Sequence, residues 1–196
     1  MTHYFDEVQD TPLLPEIISF QVSGRRFSCT VGGGVFSKDG LDSATKLLIE
    51  QTVLEGDESV LDLGCGWGAV GVVLKSLHPR ISLVMSDVNR RAIMLAKKNI
   101  ADNHLVADVR FSDVFSAIPE SFDLIVTNPP FAAGRALCYS FIEESFVHLK
   151  PHGRFLLVAR HQKGGAMLEK KIAEVFGNVK TLAKKSGFRV YMGEKL

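Results

Sequence analysis

Asn128-Pro129-Pro130-Phe131 joins an amide side chain, two successive prolines and an aromatic ring, directly after the apolar run 122–127. Neither proline carries an N–H, so the turn presents acceptors, and Pro129 pushes Asn128 into an extended conformation. An acceptor-rich loop suits a donor. The lone pair of an exocyclic base amine is delocalised into its ring. Accepting both of its hydrogens, through the Asn128 side-chain oxygen and the Pro129 carbonyl, favours the pyramidal, nucleophilic form. Phe131 would stack on such a base and fix its plane. The competing reading is a plain Pro-Pro turn with Phe131 in the core.

The second constellation is Ser59 to Gly71, S-V-L-D-L-G-C-G-W-G-A-V-G. Val60, Leu61 and Leu63 read as a buried strand, Gly64, Gly66 and Gly68 as a sharp turn, and an apolar helical pattern follows. The N–H groups of a helix that begins there point at whatever lies over the turn. Residues 66–71 satisfy G-x-G-x-x-G, and Asp87 lies where a ribose-binding acid would, so a nicotinamide enzyme is one reading. Asp62 argues against it: a carboxylate beside the turn repels a pyrophosphate and attracts a cation. Asp62 capping a neighbouring loop is the alternative.

The elements that must position these residues alternate from residue 59 onward. Strands are expected at 60–63, 81–86, 107–111, 122–127 and 154–159, and helices at about 69–77, 90–101, 135–149 and 165–176. This pattern predicts an α/β, doubly wound, mostly parallel sheet, with both constellations at its carboxyl edge. Segments 179–183 and 189–192, separated by Lys184 to Phe188, predict a C-terminal antiparallel hairpin. Ahead of the core, residues 1–16 read as a loosely held arm, and 17–22 with 27–31 as a small hairpin about Ser23-Gly24. The Gly32-Gly33-Gly34 run implies a mobile or tightly turned segment. A helix capped by Asp42 or Ser43 is expected to run through about Leu54.

The length of 196 residues suits a single domain, with 1–58 as arm, hairpin and helix and 59–196 as the catalytic core. No apolar run approaches the ~18 residues of a membrane span, and the acidic, polar start is unlike a secretory signal, so the expected compartment is the cytoplasm. Cys29, Cys65 and Cys138 are odd in number and far apart, which predicts reduced thiols rather than disulfides or zinc ligation. His148 and His152 have H-x-x-x-H spacing, but Pro151 and Gly153 break the intervening helix, so no metal site is expected. Charge is skewed: residues 1–145 carry 12 Lys/Arg against 19 Asp/Glu, and 146–196 carry 11 against 3. That skew fits either a phosphate-facing side or a solvated basic surface. Nothing in the sequence speaks to oligomeric state.

Three motifs carry a family resemblance: N-P-P-F-x-x-G at Asn128 to Gly134, V-F-S-K-D-G-L-D at Val35 to Asp42, and D-L-G-C-G-x-G at Asp62 to Gly68. Together they resemble the small-subunit ribosomal RNA guanine-N2 methyltransferases and their short single-domain relatives, over roughly residues 20–196. Further similar patterns lie at Gln162 to Ala166 and Lys184 to Phe188. The resemblance implies a Rossmann-like class I methyltransferase fold with a seven-stranded sheet. It also implies S-adenosylmethionine as cofactor and ribosomal RNA or the small ribosomal subunit as partner. Asp62, Gly64, Cys65, Gly66 and Gly68 would hold the aminoacyl end of that cofactor, and Asp87 with Val88 its ribose. Asp113 with Val114 would take its adenine, and Asn128 would sit against it. The acceptor side would be served catalytically by Asn128, Pro129, Pro130 and Phe131. Phe36, Ser37, Lys38, Gly134, Arg135, Arg160 and Lys163 would contact the substrate. For Asp87 a helix cap, and for Asp113 a loop turn, are compatible readings; for Phe36 to Lys38 the alternative is a packed loop, and for the basic residues a solvated face. The resemblance covers only the catalytic half of the longer rRNA enzymes, which carry an additional, degenerate N-terminal copy of the domain, so RNA placement is expected to differ. Adenine N6 and a protein glutamine amide share the N-P-P-[FY] logic, with Phe131 in place of tyrosine tilting the choice toward guanine N2. A nicotinamide oxidoreductase and a non-catalytic RNA-binding module are the more distant alternatives.

Overall fold

The computed structural model describes residues 3, 5–10, 12–37 and 40–196. A two-stranded hairpin, β1 (Glu16–Val22) and β2 (Arg25–Val31), and a helix, α1 (Ser43–Gln51), precede the main sheet. Then follow β3 (Ser59–Leu63), α2 (Ala69–Leu77), β4 (Ser82–Asp87), α3 (Arg90–Asp102), β5 (Asp108–Phe111) and β6 (Phe122–Thr127). The chain ends with α4 (Arg135–Val147), β7 (Leu149–Arg160), α5 (Gly165–Phe176), β8 (Lys180–Lys185) and β9 (Phe188–Glu194). The seven-stranded sheet has the order β5-β4-β3-β6-β7-β9-β8, in which β9 alone runs against its neighbours. The expected mostly parallel sheet with a C-terminal antiparallel hairpin is what forms.

Helices cover both faces, so the central strands are apolar on both sides. Val60, Leu124, Val126, Leu156 and Val158 point into one core, shared with α1, α2, α3 and the hairpin. Leu61, Ile125, Phe155 and Leu157, their alternate neighbours, point into the other, shared with α4 and α5. Both hairpins turn on a Ser-Gly pair with positive φ at each residue, Ser23 and Gly24 at 51° and 75°, Ser186 and Gly187 at 51° and 81°. These are type I′ turns, whose twist matches that of the strands they join.

Three boundaries differ from expectation. Helix α1 stops at Gln51 because Thr52 folds back, its Oγ1 donating to the Leu48 carbonyl at 2.9 Å. Helix α4 stops at Val147, and β7 begins at once with Leu149. Pro151 and Gly153 hide that start. They sit in an irregularity where the β6–β7 register jumps from Phe122↔Leu149 to Leu124↔Arg154, with His152 at φ 62°. The arm is also pinned rather than loose: Arg90 pairs with Glu7 at 2.8 Å, and Arg91 donates to the carbonyls of Gly33 and Gln9. The glycine run is tight, since a Cβ on Gly33 would lie 2.4 Å from the Pro12 carbonyl oxygen.

The hairpin is fastened by Asn99 of α3, which is fully buried. Its Oδ1 accepts from the Thr30 N–H at 2.6 Å, and its Nδ2 donates to the carbonyls of Thr30 and Trp67, each at 2.8 Å. The near-isosteric Asn99→Leu keeps the packing but strands three buried backbone groups, at an expected cost of about 3 kcal/mol. Urea denaturation checks this; a loss below about 1 kcal/mol would show that the clamp is not needed.

Candidate active site

At the carboxyl edge, β3, β4, β5 and β6 end around one cleft of about 1010 Å³, counted to its open mouth. It brings together Asp62, Gly64, Cys65, Gly66, Asp87, Val88, Asp113, Val114, Asn128, Pro129 and Pro130, with Phe36 and Ser37 from the loop before α1. Gly68 lies just behind, capping α2 at φ 94°. Lys38 lies outside the described residues. Phe131, Gly134, Arg135, Arg160 and Lys163 are not among the lining residues. Phe131 opens a short 3₁₀ turn, Phe131–Ala133, and its ring edge lies against Gly164, where an added Cβ would meet it at 2.8 Å. Gly134 starts α4, Arg135 reaches the Met167 sulfur, and Arg160 stacks its guanidinium over Phe188 at 4.8 Å.

Asp62 is 2% exposed, and its Oδ2 accepts from the Gly71 N–H at 3.0 Å. Burial, with a smaller contribution from the Asp87 charge, raises its pKa to about 7 against the opposing pull of that N–H. Gly71 lets α2 come this close to β4: a Cβ there would sit 2.6 Å from the Met85 sulfur. Asp87 accepts from Gly66 N–H at 2.9 Å through Oδ2 and from Asn89 N–H at 2.8 Å through Oδ1, so it shapes the glycine turn and the entry to α3. Burial holds its carboxyl above the ordinary range, partly offset by those N–H groups. Burial likewise raises the Cys65 thiol, with both carboxylates adding to the effect, so it is inert at neutral pH.

Val114 has φ 48°, a strained conformation for a β-branched residue, of order 1–3 kcal/mol. Ser112 holds it there: its Oγ donates to the Val114 carbonyl and accepts from the Ala117 N–H, each at 3.0 Å. This fixes Val114 and the exposed Asp113 on the cleft wall.

Asn128 donates through Nδ2 to the Thr45 Oγ1 at 3.0 Å. The Thr45 hydroxyl donates to Oδ2 of Asp42, whose Oδ1 caps α1 by accepting from the N–H groups of Ala44 and Thr45. The Pro129 carbonyl, expected to be a free acceptor, already takes the Phe131 N–H at 2.9 Å, so one of its lone pairs is in use. Among the lining residues, sequence reasoning passed over Thr45, Trp67, Val70, Leu137, Phe141 and Phe5 of the arm. Asp42 was visible as a cap and as the end of the V-F-S-K-D-G-L-D motif, with no role at the site. The D-x-x-T spacing that puts Thr45 over its cap was the available signal; nothing local pointed to Phe5.

A sheet of this order with acidic strand ends around its glycine turn is the class I, S-adenosylmethionine-dependent methyltransferase arrangement. Within that class the chain belongs to the Methyltransferase small domain family, which it matches over residues 27–192. It is 32% identical to the uncharacterized protein YbxB of Bacillus subtilis, over 99% of this chain and 98% of that one. It is 39% identical to the ribosomal RNA small subunit methyltransferase C of Actinobacillus succinogenes, over 81% of this chain and 48% of the relative. The chain thus spans about half the length of the methyltransferase C relatives it matches. The solved structure of the Thermus thermophilus 16S rRNA N2 G1207 methyltransferase, RsmC, with AdoMet and guanosine superposes with a TM-score of 0.81 at 29% identity, covering 94% of this chain and 52% of that one. Among the described residues no group of three or more His, Cys, Asp or Glu is arranged to hold a metal ion, and no helix is long and apolar enough to cross a membrane.

Proposed function

We propose that this chain methylates an exocyclic amine, the N2 of a guanine in small-subunit ribosomal RNA. The observation that carries the reading is the Asn128 amide, tethered by Nδ2 to Thr45 so that its oxygen is left for the cleft. An amine entering there meets acceptors from Asn128 and, by its remaining lone pair, Pro129. The residues fit the cofactor. Asp62 is a buried carboxylate suited to an ammonium, Asp87 retains lone pairs for ribose hydroxyls, and Asp113 offers an exposed acceptor to an adenine amine. A Cβ on Gly66 would meet no protein atom within 4 Å, so that side of the turn is open to a ligand.

S-adenosylmethionine supplies an electrophilic methyl group on a sulfonium. The chain's task is to hold the amine nitrogen in line with that carbon. The C–N bond forms as the C–S bond breaks, and the nitrogen then releases its proton to water. No side chain need act as a base, and positioning carries the rate. Asp87→Ala is expected to weaken cofactor binding by roughly tenfold or more, through lost hydroxyl contacts and a loosened Gly66 turn. An unchanged dissociation constant by calorimetry would refute that role.

The charge skew also takes on a location. Part of the C-terminal basic charge is paired with acidic residues, as in Arg154–Glu58, Lys150–Asp123 and Lys171–Glu143. Lys163, Lys184 and Lys185 make no ion pair among the described residues. With Arg160 they cluster where β7 and β8 end, at the same sheet edge as the cleft, and they suit an RNA backbone. RsmC, solved with AdoMet and guanosine, supports the guanine assignment by likeness. The test is transfer of tritium from labelled S-adenosylmethionine to ribosomal RNA of a strain lacking this protein, followed by nucleoside analysis. N2-methylguanosine is the expected product. N6-methyladenosine, label in protein, or no transfer would overturn the assignment.

A further inference from the structure

We propose that Asp42 and Thr45 form a one-proton relay that sets which end of the Asn128 amide meets the substrate, so that the site selects hydrogen-bond donors at the target position. The inference rests on the amine-methylating reading above and adds two positioning residues to it.

The chemistry follows from counting protons. A threonine hydroxyl has a single hydrogen and two lone pairs, and an ionised carboxylate only accepts. Thr45, 6% exposed, lies between Asp42 and Asn128. Its hydrogen is committed to Asp42 Oδ2, so Thr45 Oγ1 can only accept from Asn128. Asn128 must therefore turn its NH₂ to Thr45 and its oxygen the other way. Asp42 is held in turn, because its Oδ1 accepts from the first N–H groups of α1. The helix cap, the hydroxyl and the amide form one directional chain from α1 to the cleft. Without it an amide can flip at little cost, presenting two hydrogens where an amine needs an acceptor.

Reversing the chain tests it. In Asp42→Asn the side-chain oxygen still caps α1, but Nδ2 replaces Oδ2 and donates to Thr45. The Thr45 hydrogen then turns toward Asn128 and draws its oxygen away from the substrate. Turnover on ribosomal RNA is expected to fall roughly tenfold or more, with S-adenosylmethionine affinity and thermal midpoint close to wild type. Asn128→Asp alone leaves two carboxylates competing for one hydroxyl proton, and it too is expected to lose turnover. In the double variant Asp42→Asn/Asn128→Asp, the hydroxyl donates to residue 128 and an acceptor oxygen again faces the substrate. Turnover is expected to recover by roughly tenfold over either single variant. Losses that simply add, or a fully active Asp42→Asn, would overturn the relay. Should Asp42→Asn fold poorly, Thr45→Ser is expected to keep turnover and Thr45→Val to lose it, and equal rates in those two would count against the relay. Asn128→Ala separates the two levels. If it stays fully active, the assignment of Asn128 itself falls; if it is inactive while Asp42→Asn is not, only the relay falls.

Discussion

Asp62→Asn is expected to weaken S-adenosylmethionine binding by roughly 30-fold or more, about 2 kcal/mol, while making the ligand-free protein more stable at neutral and alkaline pH. Both effects come from one buried charge. Asp62 spends a single hydrogen bond on Gly71, and its pKa rises from the ordinary 3.8 to about 7. That rise corresponds to on the order of 4 kcal/mol against the ionised form in the folded, empty protein. The sign is set by linkage. Between pH 4 and 7 the folded state binds more protons at this position than the unfolded chain does. Stability therefore falls as pH rises across that window, and the cost is fully present above pH 7. Asparagine keeps the Gly71 acceptor and removes the charge, so the stability advantage of Asp62→Asn is expected above pH 7 and to vanish toward pH 4.

The same carboxylate is expected to make wild-type affinity pH-dependent. A cationic ligand group needs Asp62 ionised, so below pH 7 binding must expel a proton, and affinity is expected to drop toward tenfold per pH unit. Asp62→Asn is expected to bind weakly with no such slope. Calorimetry from pH 5.5 to 8, beside denaturant melts of the empty proteins, reads both effects. A variant that binds like wild type, or wild-type affinity that is flat through pH 7, would remove Asp62 from the cofactor's cationic end.

What was legible in the sequence is what depends on neighbours in the chain. The strand, glycine turn and helix at 59–77 follow from a period that switches from 2 to 3.6 around residues able to take positive φ. Asp87 and Asn128 were visible because each ends or directly follows an apolar run, and Asp62 because it is an acid inside the apolar strand just before the glycine turn; all three thus fall near the carboxyl edge of a parallel sheet. What escaped notice depends on residues far apart. Thr45 and Asn128 are separated by 83 positions and Asn99 and Thr30 by 69, and nothing local in either pair announces the other. The start of β7 was hidden for the opposite reason: Pro151 and Gly153 are strong local breakers, yet a register irregularity absorbs them. The motif alone suggests a stacking platform at Phe131, whereas its ring rests against Gly164 outside the lining of the cleft. The charge skew pointed two ways because the sequence does not show which cations pair across the chain: Arg154, Lys150 and Lys171 meet Glu58, Asp123 and Glu143, whereas Lys163, Lys184 and Lys185 make no ion pair among the described residues.

Asn128→Ala is expected to lower turnover by on the order of 10²- to 10³-fold with cofactor affinity nearly unchanged. On the amine-methylating proposal, the nitrogen becomes a nucleophile only when its hydrogens are accepted. Of the two acceptors at the turn, the Pro129 carbonyl already holds the Phe131 N–H, so Asn128 Oδ1 is expected to carry the larger share. The side chain forms no part of the strand ladder, because β6 ends at Thr127, whose Oγ1 donates to the Leu63 carbonyl and anchors the turn independently. Alanine should therefore leave the backbone of the turn in place and remove only the acceptor. It also frees Thr45 Oγ1 of its donor, a small loss at a hydroxyl that keeps its bond to Asp42. Single-turnover rates at saturating S-adenosylmethionine isolate the chemical step from RNA binding. If the loss appears as a higher KM for RNA with kcat intact, Asn128 binds the base without activating it. If the rate is unchanged, the acceptor turn is not where the amine is held.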